Sequence, residues 1–395
     1  MVGKLDEALQ TGIEQKGIEV DTSKKAIKKK KRKIKKLPKI KDIKLVSIDI
    51  GSRYIKIIEA KKKKGVIHVS SALKIEAPRD VIDNGELKNL PHIANALKST
   101  FMKWHIASKD VSFTSFAGSV MSREITIVDT DEISVDERRM LVENELRQYL
   151  PINLADYQIQ FTDAGKVEEN GVKKQKVLVM VYPIKLIKSY LEIISQVGSK
   201  YRPCSLDVTN NSLQKFFNHV KTINGKAIER DKVHLFIDMG RTTFNASIIA
   251  DGKLQFMRSL QVSQDEIDTL IARRIGKYED EAETLKMERC DLMRTDFDDD
   301  QDREINQVIK EKVSVWTEEV ARILQFYANK AQKRVDKIYI YGGGAKLNGL
   351  ADYMQDKLVI ETEKINRFDG VEWARNVSVA NIDQFINTLG SIIRF

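Results

Sequence analysis

The chain has 395 residues, 42% of them hydrophobic and 31% charged, enough for two globular units with cores of their own. Its two cysteines, Cys204 and Cys290, stand in no CxxC or zinc-ligand spacing, and no apolar run approaches the ~18 residues of a membrane-spanning helix. With no secretory signal either, the expectation is a soluble chain in a reducing, cytoplasmic compartment.

The net charge of +10 is unevenly placed: residues 1–42 carry 14 Lys and Arg against 6 Asp and Glu, so the rest is nearly neutral. Met1–Val20 has Leu5, Leu9 and Ile13 at helical spacing. Lys24–Lys41, KKAIKKKKRKIKKLPKIK, holds twelve basic residues in eighteen, and like-charge repulsion predicts disorder. Two readings stay open for it, a solvated tail and a contact with anionic lipid headgroups. Specific nucleic-acid binding ranks behind both, because no aromatic residue interleaves the lysines.

The globular part begins with strand Leu45–Ile50, a turn at Gly51, strand Tyr54–Ala60, the KKKKG turn and strand Val66–Ile75. A carboxylate, Asp49, two residues before a glycine at a strand-to-strand turn suits a metal-bound phosphate, because glycine lets backbone N–H groups approach the anion. The same motif is also an ordinary hairpin turn. Met121–Lys200 reads as a small α/β insertion, with helix Ser134–Tyr149, strands Tyr157–Phe161 and Lys176–Val181, and helix Ile184–Val197. A second meander then repeats the first: strand Val233–Met239 with Asp238 and Gly240, strand Thr243–Ala250, an Asp251-Gly252 turn and strand Lys253–Val262. The two acids are 189 positions apart, which predicts two similar α/β domains, each giving one acidic loop to a shared cleft.

Asp296–Gln307 opens like an EF-hand but lacks Gly at its sixth place and Glu at its twelfth, so an exposed acidic loop is expected there. Val313, Trp316, Val320, Ile323, Leu324 and Tyr327 follow helical spacing and read as core. Lys337–Leu350, KIYIYGGGAKLNGL, runs an apolar strand into Gly342-Gly343-Gly344 and then a helix from Leu347. Bare backbone there can pass close to phosphate or ribose. No P-loop, GxSxG elbow or HExxH motif is present.

These loops resemble the actin-like ATPase superfamily. Asp49-Ile-Gly-Ser-Arg-Tyr-Ile-Lys56 resembles its first phosphate loop, Asp238-Met-Gly-Arg-Thr-Thr243 its second, and Ile338–Leu350 its adenosine loop. Glu281–Lys286 is similar to the helix whose Glu and Lys meet adenine and ribose, here Glu283 and Lys286. Within the superfamily, Glu143–Phe161 and Leu389–Arg394 are similar to segments of the PilM family of type IV pilus assembly proteins, relatives of FtsA.

The resemblance implies an α/β fold of actin-like (ribonuclease H-like) type with two domains, a duplicated meander and an FtsA-like inserted subdomain. Its boundaries would be a basic tail at 1–42, domain 1 at 43–120 and 201–230, and the insertion at 121–200. Domain 2 would span 231–380, with a subdomain at about 266–325, and a return helix at 381–395. ATP would lie between the domains, with Asp49 and Asp238 holding Mg²⁺ through water. Lys56 would neutralise phosphate. Backbone N–H groups of Gly51, Ser52, Gly240 and Arg241, with the hydroxyls of Thr242 and Thr243, would wrap the oxygens, while Gly342, Gly343 and Gly344 line the sugar side. The place of the water-orienting Gln or Glu falls on Thr209, with Asp207 or Asn211 as possible compensation, so ATP binding with slow or absent turnover is expected.

The family further implies a scaffold on the inner face of the cell membrane. It would hold the cytoplasmic N-terminal peptide of a PilN-like membrane protein beside the insertion, with Leu150, Pro151 and Ile152 as groove candidates. Pilus motor ATPases and further copies of the chain are other implied partners. The alternative is an FtsA- or MreB-like nucleotide-dependent filament former; a metabolite kinase lacks a catalytic Asp motif.

Overall fold

The computed structural model describes residues 44–83, 86–115, 120–128, 133–169 and 171–393, and the readings for the basic tail lie outside them. Residues from Asp42 onward form one compact unit. Its first lobe is laid down by β1 (Lys44–Ile50), β2 (Tyr54–Lys63) and β3 (Val66–Glu76), an antiparallel meander as its alternating pattern predicts. Helix α1 (Leu90–Lys103) then leads to β4 (Asp110–Ser115), which pairs parallel to β1. Flanked on both edges, β1 is buried at every position from Leu45 to Ile50, which explains its unbroken apolar character around Ser47 and Asp49.

The insertion follows as β5 (Met121–Val128), α2 (Val135–Tyr149), β6 (Tyr157–Glu169), β7 (Val172–Pro183) and α3 (Ile184–Val197). Its sheet runs β5-β7-β6 and closes on α2 over Ile125, Val142, Leu146, Val177 and Val179. Ser134 caps α2, accepting from the Glu137 N–H while Glu137 Oε2 accepts from the Ser134 N–H at 2.8 Å. Both β6 and β7 run further than their short apolar stretches predict, because their polar outer halves still pair with each other. β5 was missed for the same reason, being half polar.

β8 (Arg202–Val208) returns to the first lobe beside β4, and α4 (Thr209–His219) leaves from its end. The second lobe repeats the plan with β9 (Val233–Met239), β10 (Thr243–Ala250) and β11 (Lys253–Gln261). Helices α5 (Gln264–Ile275), α6 (Glu279–Arg289) and the 32-residue α7 (Asp300–Ala331) cover one face. The helical stripe Val313, Trp316, Val320, Ile323 and Tyr327 is buried in that core, with Leu324 partly buried against it. The acidic loop is drawn into α7, where Asp299 caps the helix and Asp302 meets Arg289 at 3.1 Å.

β12 (Lys337–Tyr341) pairs parallel to β9, so the first sheet reads β8-β4-β1-β2-β3 and the second β11-β10-β9-β12, with β13 (Glu361–Lys364) beyond. Two details differ from the sequence reading. The helix after the glycine triplet, α8 (Leu350–Leu358), starts three residues late, because Gly349 takes φ +74° and Leu347 is extended. Residues Val371–Trp373, within the stretch assigned to the second domain, form β14, which pairs with β3 of the first.

The last helix, α9 (Ile386–Ile392), packs with α4 between the two sheets, in a core shared by Leu45, Phe216, Phe236, Tyr339 and Leu389. Gly390 lies so close to the Ser212 carbonyl that a Cβ there would overlap it.

Candidate functional site: the cleft between the lobes

The two acidic turns share one construction. The Gly51 N–H donates to the Tyr54 carbonyl at 3.0 Å, and the Gly240 N–H donates to the Thr243 carbonyl at 3.0 Å. A Cβ on either glycine would come within 2.9 Å or 2.8 Å of those same carbonyl oxygens, so both turns exclude a side chain. They close on each other from opposite lobes, with Thr242 Oγ1 3.4 Å from Ser52 Oγ. Behind them lies a cleft of about 570 Å³ lined by Asp49, Lys56, Asp238, Thr209 and Gly343 among others, a size in the ordinary range for small-ligand sites.

At its base Lys56 Nζ donates to Asp49 Oδ2 at 3.0 Å. Burial weakens the lysine's hold on its proton, but Asp49 and Asp238 keep that hold above the ordinary value. Burial pushes the Asp238 carboxyl up, against the pull of Lys56 and of Asn387, whose Nδ2 donates to Asp238 Oδ2 at 2.7 Å. The third glycine loop is fixed from the same helix region, where Asp383 Oδ2 accepts from the Gly342 N–H at 3.0 Å. A Cβ on Gly342, which sits at φ +94°, would lie 2.8 Å from Asp238 Oδ1, so only glycine lets this loop come so near the acid.

Register carries the duplication into the site. Asp49 pairs with Lys56 and Lys56 with Lys74 across β1, β2 and β3. Asp238 pairs with Asn245 and Asn245 with Ser259 across β9, β10 and β11. All six line the cleft. One wall is therefore acid–lysine–lysine and the other acid–amide–hydroxyl. Asn245 is 7% exposed, and its Oδ1, like Ser259 Oγ, has no hydrogen-bond partner among the described residues.

The remaining predicted residues divide. Gly343 lines the cleft with open space where a Cβ would be, while Gly344 abuts the Gln264 amide, which donates to the Gly240 carbonyl at 2.7 Å. Glu283 and Lys286 both reach the cleft wall, yet the Lys286 ammonium is paired with buried Asp268. Glu283 accepts from Arg241 at 3.3 Å in its own lobe and from Arg53 at 3.4 Å across the cleft. Thr209 faces the cleft with its hydroxyl 3.2 Å from Asn210 Oδ1. Asp207 stands outside the cleft lining and is saturated: Lys215 pairs with it, Ser212 Oγ donates at 2.8 Å and Asn211 also binds it. A carboxylate so engaged anchors α4. Leu150 and Ile152 pack against the core of the insertion, and Pro151 is exposed.

Residues 47–390 match the family described as "Type IV pilus assembly protein PilM". The chain belongs to the PilM family. The resemblance of Glu143–Phe161 and Leu389–Arg394 to PilM segments is thereby borne out, and with it a role in type IV pilus assembly. Among solved structures, a PilM-PilN type IV pilus biogenesis complex superposes with a TM-score of 0.73 at 20% identity, over 89% of this chain and 98% of that one. MreB5 of Spiroplasma citri bound to ADP gives 0.50 at 13% identity, over 88% and 95%. Ethanolamine utilization protein EutJ from Carboxydothermus hydrogenoformans gives 0.50 at 12% identity, over 88% of each chain. At these identities the likenesses establish the actin-like ATPase fold. No curated protein matches the sequence.

Sequence reasoning missed Asn387, which lines the cleft, and Asp383, which holds Gly342 beside it; both come from far down the chain with no local motif. Asn245 was within reach: it stands seven residues after Asp238, as Lys56 stands seven after Asp49.

Proposed function

We propose that this PilM family member binds Mg²⁺-ATP between its lobes and works as a nucleotide-holding scaffold of pilus assembly. The observation that carries the reading is the pair of matched glycine turns, each set beside an acid, Asp49 buried and Asp238 partly so, facing one another with Lys56 at the base. The residues suit the ligand. The Gly51 and Gly240 N–H groups are taken up inside their turns, which leaves the N–H groups that follow them to meet phosphate oxygens, and Asp49 and Asp238 would hold the ion through its waters. Lys56, already held charged, would turn from Asp49 toward the phosphates. Buried Asn245 Oδ1 has a bonding capacity that the described residues leave unused. When bound, Mg²⁺ supplies charge neutralisation across the phosphate chain.

Turnover is proposed to be slow or absent. Thr209 offers a hydroxyl where a carboxylate or amide would orient water better, and Asp207 is committed to Lys215. Titration calorimetry with Mg²⁺-ATP tests the binding: saturable heat is expected from the wild type and none from Asp238→Ala. A steady-state hydrolysis rate well above that of Asp49→Ala would overturn the second half of the proposal.

The partner we propose is the cytoplasmic peptide of a PilN-like membrane protein, which would bring the chain to the inner face of the membrane. What supports it is the family, together with the PilN present in the related complex. β5 and β6 are the two edges of the inserted sheet among the described residues, so strand addition is open to an extended peptide. Pull-down with such a peptide tests this, with retention expected. Mg²⁺-ATP-dependent pelleting without peptide would favour a filament former instead.

A further inference from the structure

Four lysines line the cleft, and only two have a carboxylate partner. Lys56 is paired with Asp49 and Lys286 with Asp268. Lys74, on β3, and Lys346, on the turn after the glycine triplet, have no carboxylate within 4.0 Å among the described residues. Lys74 Nζ lies 4.2 Å from the centre of the Tyr54 ring and donates to Gln384 Oε1 at 3.4 Å, both neutral groups. Asp383 attracts both lysines from a distance, but its carboxylate is engaged by the Gly342 N–H.

The two lysines belong to opposite lobes and repel one another. Burial and then Lys56 loosen the hold of Lys74 on its proton; burial and then Lys74 do the same for Lys346. Surplus like charge in a half-buried cleft is destabilising unless an anion joins it. The register adds direction, because Lys74 is the outermost member of the Asp49–Lys56–Lys74 wall, while the facing wall ends in neutral Asn245 and Ser259. Charge recognition is thus concentrated along one wall and continued by Lys346.

We infer that Lys74 and Lys346 form a second cationic station, one lysine from each lobe, that binds the phosphate chain of the nucleotide and sets the preference for ATP over ADP and AMP. The inference rests on the nucleotide reading above and adds the residues that read phosphate number.

The test is calorimetry on the full chain with Mg²⁺-ATP, Mg²⁺-ADP and AMP, comparing wild type, Lys74→Gln/Lys346→Gln and Lys74→Arg/Lys346→Arg. The glutamine pair is expected to weaken ATP binding about tenfold or more, the worth of a hydrogen bond to a charged group, and to narrow the gap between ATP and AMP. The arginine pair is expected to retain both. Inorganic tripolyphosphate should displace ATP from the wild type far better than from the glutamine pair. Binding of all three nucleotides by the glutamine pair within twofold of wild type would overturn the inference while leaving the nucleotide reading in place. A wild type that binds none of the three would overturn that reading, and this station with it.

Discussion

Lys56 is the residue on which the cleft balances. It lies beside Asp49 and under the influence of Asp238, two carboxylates brought together from turns in different lobes. Removing the cation leaves buried Asp49 without its partner, which costs about 3 kcal/mol. Lys56→Met is therefore expected to lower the melting temperature by several degrees and to weaken Mg²⁺-ATP binding. Asp238 behaves in the opposite way. Burial raises its folded pKa above the unfolded value, so ionisation at neutral pH works against folding. Asp238→Asn is expected to leave the ligand-free melting temperature unchanged or higher at pH 7 while losing Mg²⁺-ATP binding; a marked fall in melting temperature would contradict this. Asp49, Lys56 and Asp238 were legible in the sequence because glycine turns and a seven-residue spacing are local. Asp383 and Asn387 were not, since their roles exist only once α9 has docked.

At the scale of elements, two features set stability. The first is the crossing of α4 and α9 at Ser212 and Gly390, where no Cβ fits. Gly390→Ala must push the helices apart and is expected to destabilise by at least about 2 kcal/mol, measured by denaturant unfolding. The second is the β12–β13 edge. Burial alone would raise the Glu363 carboxyl, but hydrogen bonds from Lys226, Asn224 and Lys337 hold it down at about 2. A carboxylate with a depressed folded pKa gives stability that is full above the ordinary value of 4.5 and is lost as pH falls toward 2. Acid unfolding of Glu363→Gln is expected to be flatter across that window than that of wild type. The meanders and α7 were readable from period-2 and helical spacing. The placement of β14 was not, because a three-residue strand carries no pattern of its own and joins β3 only through tertiary pairing.

Across the whole molecule the lobes are tied by β14 on β3 and by Asn387 on Asp238, and two further contacts add to these. A dry core around α4 and α9 fixes the hinge side, and a polar set closes the mouth, with Arg53 reaching Glu283 and Ser52 meeting Thr242. Partly exposed ion pairs of this kind are individually weak, so the mouth opens more readily than the hinge. Glu283→Gln is expected to leave the melting temperature within about a degree while speeding hydrogen exchange at both glycine turns. Unchanged exchange there would mean that the mouth is held by something other than this bridge.

The path of the backbone has a consequence for synthesis. Both carboxylate-bearing turns are made early relative to the helix that completes them, and Gln384 and Asn387, with Asp383 beside them, emerge only after the other described residues of the cleft. During translation, then, the pocket stays unfinished until those closing residues clear the ribosome. A nascent fragment lacking them already has β12 beside β9 but lacks the hydrogen bonds that tie Asp383 to Gly342 and Asn387 to Asp238, so weaker nucleotide retention is expected of a chain cut before residue 383.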